Sequence, residues 1–141
     1  MPKIIKKSVT LPAPAEKLFE MYLSPKIHSE ITGSPVSISS KEGSRFRAYD
    51  ITGKTLLVIP KYMIVQSWRA SIWKKEDLDS ILILTFLPEG EKGRIELVHA
   101  NVLDSAYEAC QEGWEEGYFK PWREYLVKMD KAFKKPRTKA A

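Results

Sequence analysis

Two histidines, His28 and His99, and one cysteine, Cys110, are the side chains of this 141-residue chain best suited to proton transfer, metal ligation or nucleophilic attack. They form no spaced ligand set, so neither a metal nor any other cofactor is expected. The sequence also lacks a nucleophile elbow, a phosphate loop and a dinucleotide fingerprint. His99 alternates with Ile95, Leu97 and Asn101 on one strand face, which points it inward. A hydrogen-bonded core histidine is the expected role, because a general base needs a partner that the sequence does not supply. Cys110 falls on an apolar helix face, where a buried, inert thiol is expected. Alone, it forms no internal disulfide, which points to a cytoplasmic location.

The remaining chemistry is recognition by aromatic surface. Trp68 and Arg69 are adjacent on a strand, so their side chains point to opposite faces. Trp68 falls with Ile64, Gln66, Ala70 and Ile72, and Arg69 with Met63, Val65, Ser67 and Trp73. Trp68 reads as core or as a cavity wall, Arg69 as a paired structural arginine or a partner contact. Downstream, Trp114, Tyr118, Trp122 and Tyr125 recur at helical spacing. A pocket between such a helix and a sheet would be apolar with a few polar anchors. The candidate lining residues are Tyr49, Gln66, Trp68, His99, Asn101, Trp114 and Tyr118; the candidate partner-binding residues are Arg69, Lys128, Lys131 and Lys135.

Those side chains need elements to position them. The longest helical pattern runs from Ser105 to Lys134, with Tyr107, Cys110, Trp114, Tyr118, Pro121 or Trp122, Tyr125 or Leu126, Met129 and Phe133 on one face. Pro121 would clash with the carbonyl four residues back, but Gly117 stands there. One continuous element with a bend near Gly117–Pro121 is expected. Four acids and no bases lie between Ser105 and Phe119, and eight bases and two acids between Lys120 and Lys139. That polarity suits the helix dipole.

Ahead of the long helix the signals are mostly β. Lys3–Leu11 reads as a strand. Pro14 with Glu16, and Ser24-Pro25 through Gly33, mark two short helices. Six strands should follow: Val36–Ile38, Arg45–Tyr49, Thr55–Ile59, Tyr62–Trp73, Ser80–Leu87 and Arg94–Asn101. Thr52-Gly53-Lys54 is read as the turn of the first hairpin, and Pro88 to Gly93 as a later turn. The expected fold is α+β: a curved antiparallel sheet wrapped around the long helix, in one domain over residues 1–134, with residues 135–141 a basic, frayed tail. The net charge of +5 is concentrated at the C-terminal end rather than spread over a face with interleaved aromatics, so nucleic acid is not the expected partner. No run is long enough to cross a bilayer, and the N-terminus does not read as a signal peptide.

Several segments resemble, in order, a known family. They are Pro12-Ala13-Pro14-Ala15-Glu16-Lys17-Leu18-Phe19, Ile31-Thr32-Gly33, Glu42-Gly43-Ser44-Arg45-Phe46 with Ile51-Thr52-Gly53-Lys54, Ile64 to Arg69 with Trp73, and Gly113 to Trp122. The chain resembles the START/birch-pollen-allergen superfamily, which has the helix-grip fold. Within it, the chain is similar to the family named after the C-terminal domain of the activator of heat-shock protein 90 ATPase. The resemblance implies three kinds of role. The first is a non-enzymatic carrier of an apolar or aromatic small molecule. The second is a co-chaperone-like factor acting on an Hsp90-type ATPase. The third is an enzyme of the polyketide cyclase or dehydratase kind. The eukaryotic co-chaperone carries an additional N-terminal domain, and a stand-alone copy is expected here.

Overall fold

The computed structural model describes residues 1–134, and for residues 132–134 the backbone alone. The expectations for Phe133, Lys135 and the tail fall outside the described side chains. The chain runs β1 (Lys3–Leu11), α1 (Ala15–Leu23), α2 (Pro25–Thr32), β2 (Val36–Ser37), β3 (Arg45–Ala48), β4 (Ile51–Ile59), β5 (Met63–Ala70), β6 (Ser80–Glu89), β7 (Lys92–Val102), α3 (Tyr107–Gly113) and α4 (Lys120–Lys134). The strands form one antiparallel sheet in the order β1-β7-β6-β5-β4-β3-β2. The sheet curves around the long C-terminal helix, as in the helix-grip fold.

Local chemistry sets the helix boundaries. Ser24 accepts the Ile27 N–H through its hydroxyl at 3.2 Å, and Pro25 opens α2 with its ring already at helical φ. Gly33 closes α2 in the left-handed region at φ 77°, which costs a residue without a Cβ nothing. α1 turns Leu18, Phe19, Met21 and Tyr22 onto the sheet, where Phe19 meets Phe86 edge-on with ring centroids 5.6 Å apart. Strands β6 and β7 alternate strictly over most of their length: Leu82, Leu84 and Phe86 face inward with Ile95, Leu97 and His99.

Two hairpins differ from expectation. Thr52-Gly53-Lys54 is not a turn. β4 begins at Ile51, which pairs with Ala48, so the turn is Tyr49-Asp50. Gly53 lies mid-strand for lack of room: a Cβ there would sit 1.7 Å from the Ser67 carbonyl oxygen and 2.7 Å from the Phe46 ring. The expected turn from Pro88 to Gly93 narrows to Gly90 and Glu91, because β6 and β7 remain paired out to Glu89 and Lys92.

The C-terminal element is continuous, as expected, but it absorbs the proline differently. A 3-10 turn (Asp104–Ala106) leads into α3, and residues Trp114–Phe119 form a π-helical segment that runs directly into α4. The Lys120 N–H reaches back five residues to the Glu115 carbonyl. The wider turn gives the Pro121 ring space and needs no N–H from it. It also advances the register, so Phe119, off the expected face, is buried, while Met129, on it, is half exposed.

Candidate functional site

Between the long helix and the β3–β5 end of the sheet lies a cavity of about 610 Å³. The helix leaves it open by presenting small residues at successive turns: Ala106, Ala109, Gly113 and Gly117 all line it. A Cβ added at Gly113 or Gly117 would meet nothing within 4 Å. The opposite wall comes from Ala48, Ile51, Trp68 and Ala70 of the sheet, and the mouth from Tyr49, Asp50, Ile72, Trp73, Lys74 and Asp77. Tyr49 sits in the left-handed region at φ 57°, uncommon for a residue with a side chain, and is 74% exposed.

Three large rings form the inner wall. Trp68 and Trp114 lie with centroids 4.7 Å apart, and Trp114 and Tyr118 with centroids 4.8 Å apart. Each ring is tethered through its polar atom to a polar side chain behind it. The Trp68 indole N–H donates to Gln66 Oε1 at 3.3 Å, and the Trp114 indole N–H to His99 Nδ1 at 3.1 Å. The Tyr118 hydroxyl pairs with His28 Nε2 at 2.9 Å. None of these three partners lines the cavity. The polar edges are therefore satisfied from the core side, and the ring surface left for the cavity is carbon.

The tethers fix both imidazoles. An indole N–H only donates, so His99 Nδ1 accepts and His99 Nε2–H donates to Ser80 Oγ at 2.7 Å; Ser80 in turn donates to the Trp68 carbonyl. A carbonyl only accepts, so His28 Nδ1–H donates to the Tyr22 carbonyl at 2.7 Å, and His28 Nε2 accepts from Tyr118. Each ring is neutral with both nitrogens engaged. Burial lowers the pKa of His28 to about 4, with the Tyr22 carbonyl opposing the shift, and burial likewise lowers that of His99 to about 4. Burial also raises the Tyr118 hydroxyl, so it remains a donor.

Of the seven residues expected at a pocket, Tyr49, Trp68, Trp114 and Tyr118 line the cavity. Gln66 stands behind it, where its Oε1 also accepts the Tyr22 hydroxyl at 2.7 Å and its amide donates to Thr55. His99 stands behind it as well. Asn101 leaves the inward face altogether: φ 58° breaks the alternation of β7, Val102 takes the buried place, and the Asn101 amide donates to the Asp79 carbonyl. Arg69 is a structural tie. It donates to the Asp77 and Lys74 carbonyls and pairs with Asp79 at 3.2 Å, pinning the segment after β5. Lys128 and Lys131 are exposed on α4 beside a shallow groove of about 390 Å³.

Sequence reasoning missed the small residues of the helix, Trp73 and the Asp50 turn. The signal for the first was present: Ala106, Ala109, Gly113 and Gly117 recur every three or four residues, a stripe easily overlooked beside the aromatic one. Cys110 is half-buried and faces the cavity; burial and, to a lesser degree, the Asp50 carboxylate raise its thiol pKa. Among the described residues no group of three or more potential metal ligands occurs, and no helix is long and apolar enough to cross a membrane.

The model of the family described as "Activator of Hsp90 ATPase homolog 1-like protein" matches residues 12–133. No curated protein matches the sequence. Among solved structures, the chain is similar to an HSP90 activator from Plasmodium falciparum, with a TM-score of 0.82 and 19% identity over 88% of this chain and 96% of that one. It is similar to protein MLL2253 from Mesorhizobium loti, with a TM-score of 0.78 and 18% identity over 89% of this chain and 98% of that one. CalU16 from Micromonospora echinospora gives a TM-score of 0.70 and 20% identity over 82% of this chain and 71% of that one. At these identities the likeness is one of fold.

Proposed function

The chain belongs to the family of Activator of Hsp90 ATPase homolog 1-like proteins, and from that premise we propose that it is a cytoplasmic binding module for an apolar or aromatic small molecule. The observation that carries this reading is the cavity of about 610 Å³ between sheet and helix, within the size range of small-molecule sites. Its wall supports the same reading. Rings whose polar atoms are already satisfied favour a ligand that makes dispersion and stacking contacts rather than one that needs directed hydrogen bonds. Both histidines are held neutral behind that wall, with no ring nitrogen free to move a proton at a ligand, which favours binding over turnover of the cyclase or dehydratase kind.

A ligand that binds the native state alone raises its stability by mass action, about 2.7 kcal/mol at one hundred times Kd. Thermal-shift screening of fatty acids, flavonoids and aromatic acids therefore tests the reading. At least one class should raise Tm in a concentration-dependent way. The rise should vanish in Gly113→Leu, which sends a side chain into the open space. If no compound stabilises the wild type, or if Gly113→Leu responds equally, the reading fails.

Family membership favours a second reading, an accessory factor of an Hsp90-type ATPase. The exposed Lys128 and Lys131 on α4 would supply salt-sensitive attraction. Stimulated ATP turnover by such a chaperone, declining with added salt, would support it. Absence of both binding and stimulation at low salt would remove it.

A further inference from the structure

We propose that the ligand of this cavity is a hydrophobic cation, an amine or quaternary ammonium attached to a flat apolar body, held by the aromatic wall with Asp50 beside its charge. The proposal rests on the binding reading above and adds the sign of the ligand's charge, which the mouth decides.

The charged residues of the lining are Asp50, Asp77 and Lys74. Arg69 lies close by, but Asp79 neutralises it, and its remaining donors are spent on backbone carbonyls. Two carboxylates thus oppose one ammonium. The four acids of the helix, Glu108, Glu112, Glu115 and Glu116, are exposed and line no part of the cavity, and Glu116 pairs with Lys120 at 3.7 Å, so the imbalance is that of the lining itself. Asp50 and Cys110 of α3 line the same opening, and the Asp50 carboxylate contributes, after burial, to the raised pKa of the Cys110 thiol.

The aromatic content acts in the same direction. Tyr49, Trp68, Trp73, Trp114 and Tyr118 all line the cavity, and ring faces attract cations through their quadrupoles, tryptophan most of all. A carboxylate ligand would meet the same faces and the same acids unfavourably, with Lys74 as its one support. No hydrogen bond to the head group is required, because no donor or acceptor of the inner wall is left unpaired.

The test is calorimetric titration with three probes on one skeleton: naphthylmethyl-trimethylammonium, its uncharged carbon isostere neopentylnaphthalene, and naphthylacetate. The cation should bind about tenfold more tightly than the isostere, the scale of one desolvated cation–π contact, and the anion most weakly. Asp50→Asn should narrow the gap between cation and isostere, and Lys74→Met should widen it, with the isostere unchanged in both. Retention of wild-type Tm certifies the fold of each variant. Binding of the isostere as tight as or tighter than that of the cation overturns the cation proposal and leaves the apolar binding site intact. A gap unmoved by both substitutions also overturns it. Failure of all three probes to bind overturns the cation proposal, and the thermal-shift screen with Gly113→Leu then decides the binding reading separately.

Discussion

His28 and His99 are the two residues of this chain that pattern reading would first suspect of chemistry, and both serve as tethers. Each bonds an aromatic ring of the cavity wall through one nitrogen, and its other nitrogen is occupied. Both have a folded-state pKa of about 4 against an ordinary value of 6.5, with burial as the main cause. The unfolded chain therefore binds more protons than the native one between those values. Stability from these groups is fully present above about pH 6.5 and is lost as pH falls toward 4, with a slope of up to about 1.4 kcal/mol per pH unit for each histidine. Urea denaturation across that window should show the fall. The variant His28→Gln/His99→Gln, whose amides can both donate and accept in the same places, should flatten it. An unchanged slope in the double variant would mean that the imidazoles are not the groups being protonated.

Among the elements, the long helix carries two stripes: an aromatic one that anchors it to the sheet and a small-residue one that keeps the cavity open. The first was legible in the sequence because Trp114, Tyr118 and Trp122 keep helical spacing. Its exact register was not, because the π-helical turn that accommodates Pro121 inserts an offset no simple period contains, which is how Phe119 becomes buried. Glycine was ambiguous for a related reason. Gly53 and Gly113 look alike in sequence, yet one is forced by the Ser67 carbonyl and the other adjoins empty space. Opposite outcomes follow. Gly53→Ala should cost about 3 kcal/mol, since backbone must move to admit the methyl. Gly113→Ala should add about 0.5–1 kcal/mol, the helical preference for alanine over glycine. Chemical denaturation of both variants checks the pair, and equal effects would mean that the helix and strand are placed wrongly.

For the whole molecule, element order and the antiparallel run from β2 to β7 could be read from the sequence because strand alternation and proline and glycine punctuation are local signals, whereas the pairing of β1 with β7, strands far apart in the chain, leaves no local signal. The cavity was half legible. Its aromatic members announce themselves by type, whereas Gln66 and His99 alternate onto the inward face and still lie behind the wall, since depth along an inward-facing normal leaves no trace in a period of two. Asn101 departed because one positive φ reversed the alternation. The central claim is that the space between the sheet and the long helix receives a ligand, and the four tryptophans offer a direct measurement of it. Trp68, Trp73 and Trp114 line the cavity, whereas Trp122 is buried outside it near Tyr22. In a nitrogen–proton correlation spectrum recorded during titration with a compound that raises Tm, the indole signals of Trp68, Trp73 and Trp114 should shift together and saturate, and that of Trp122 should stay in place. Movement of Trp122 alone, or shifts confined to the outer face of the sheet, would contradict the account.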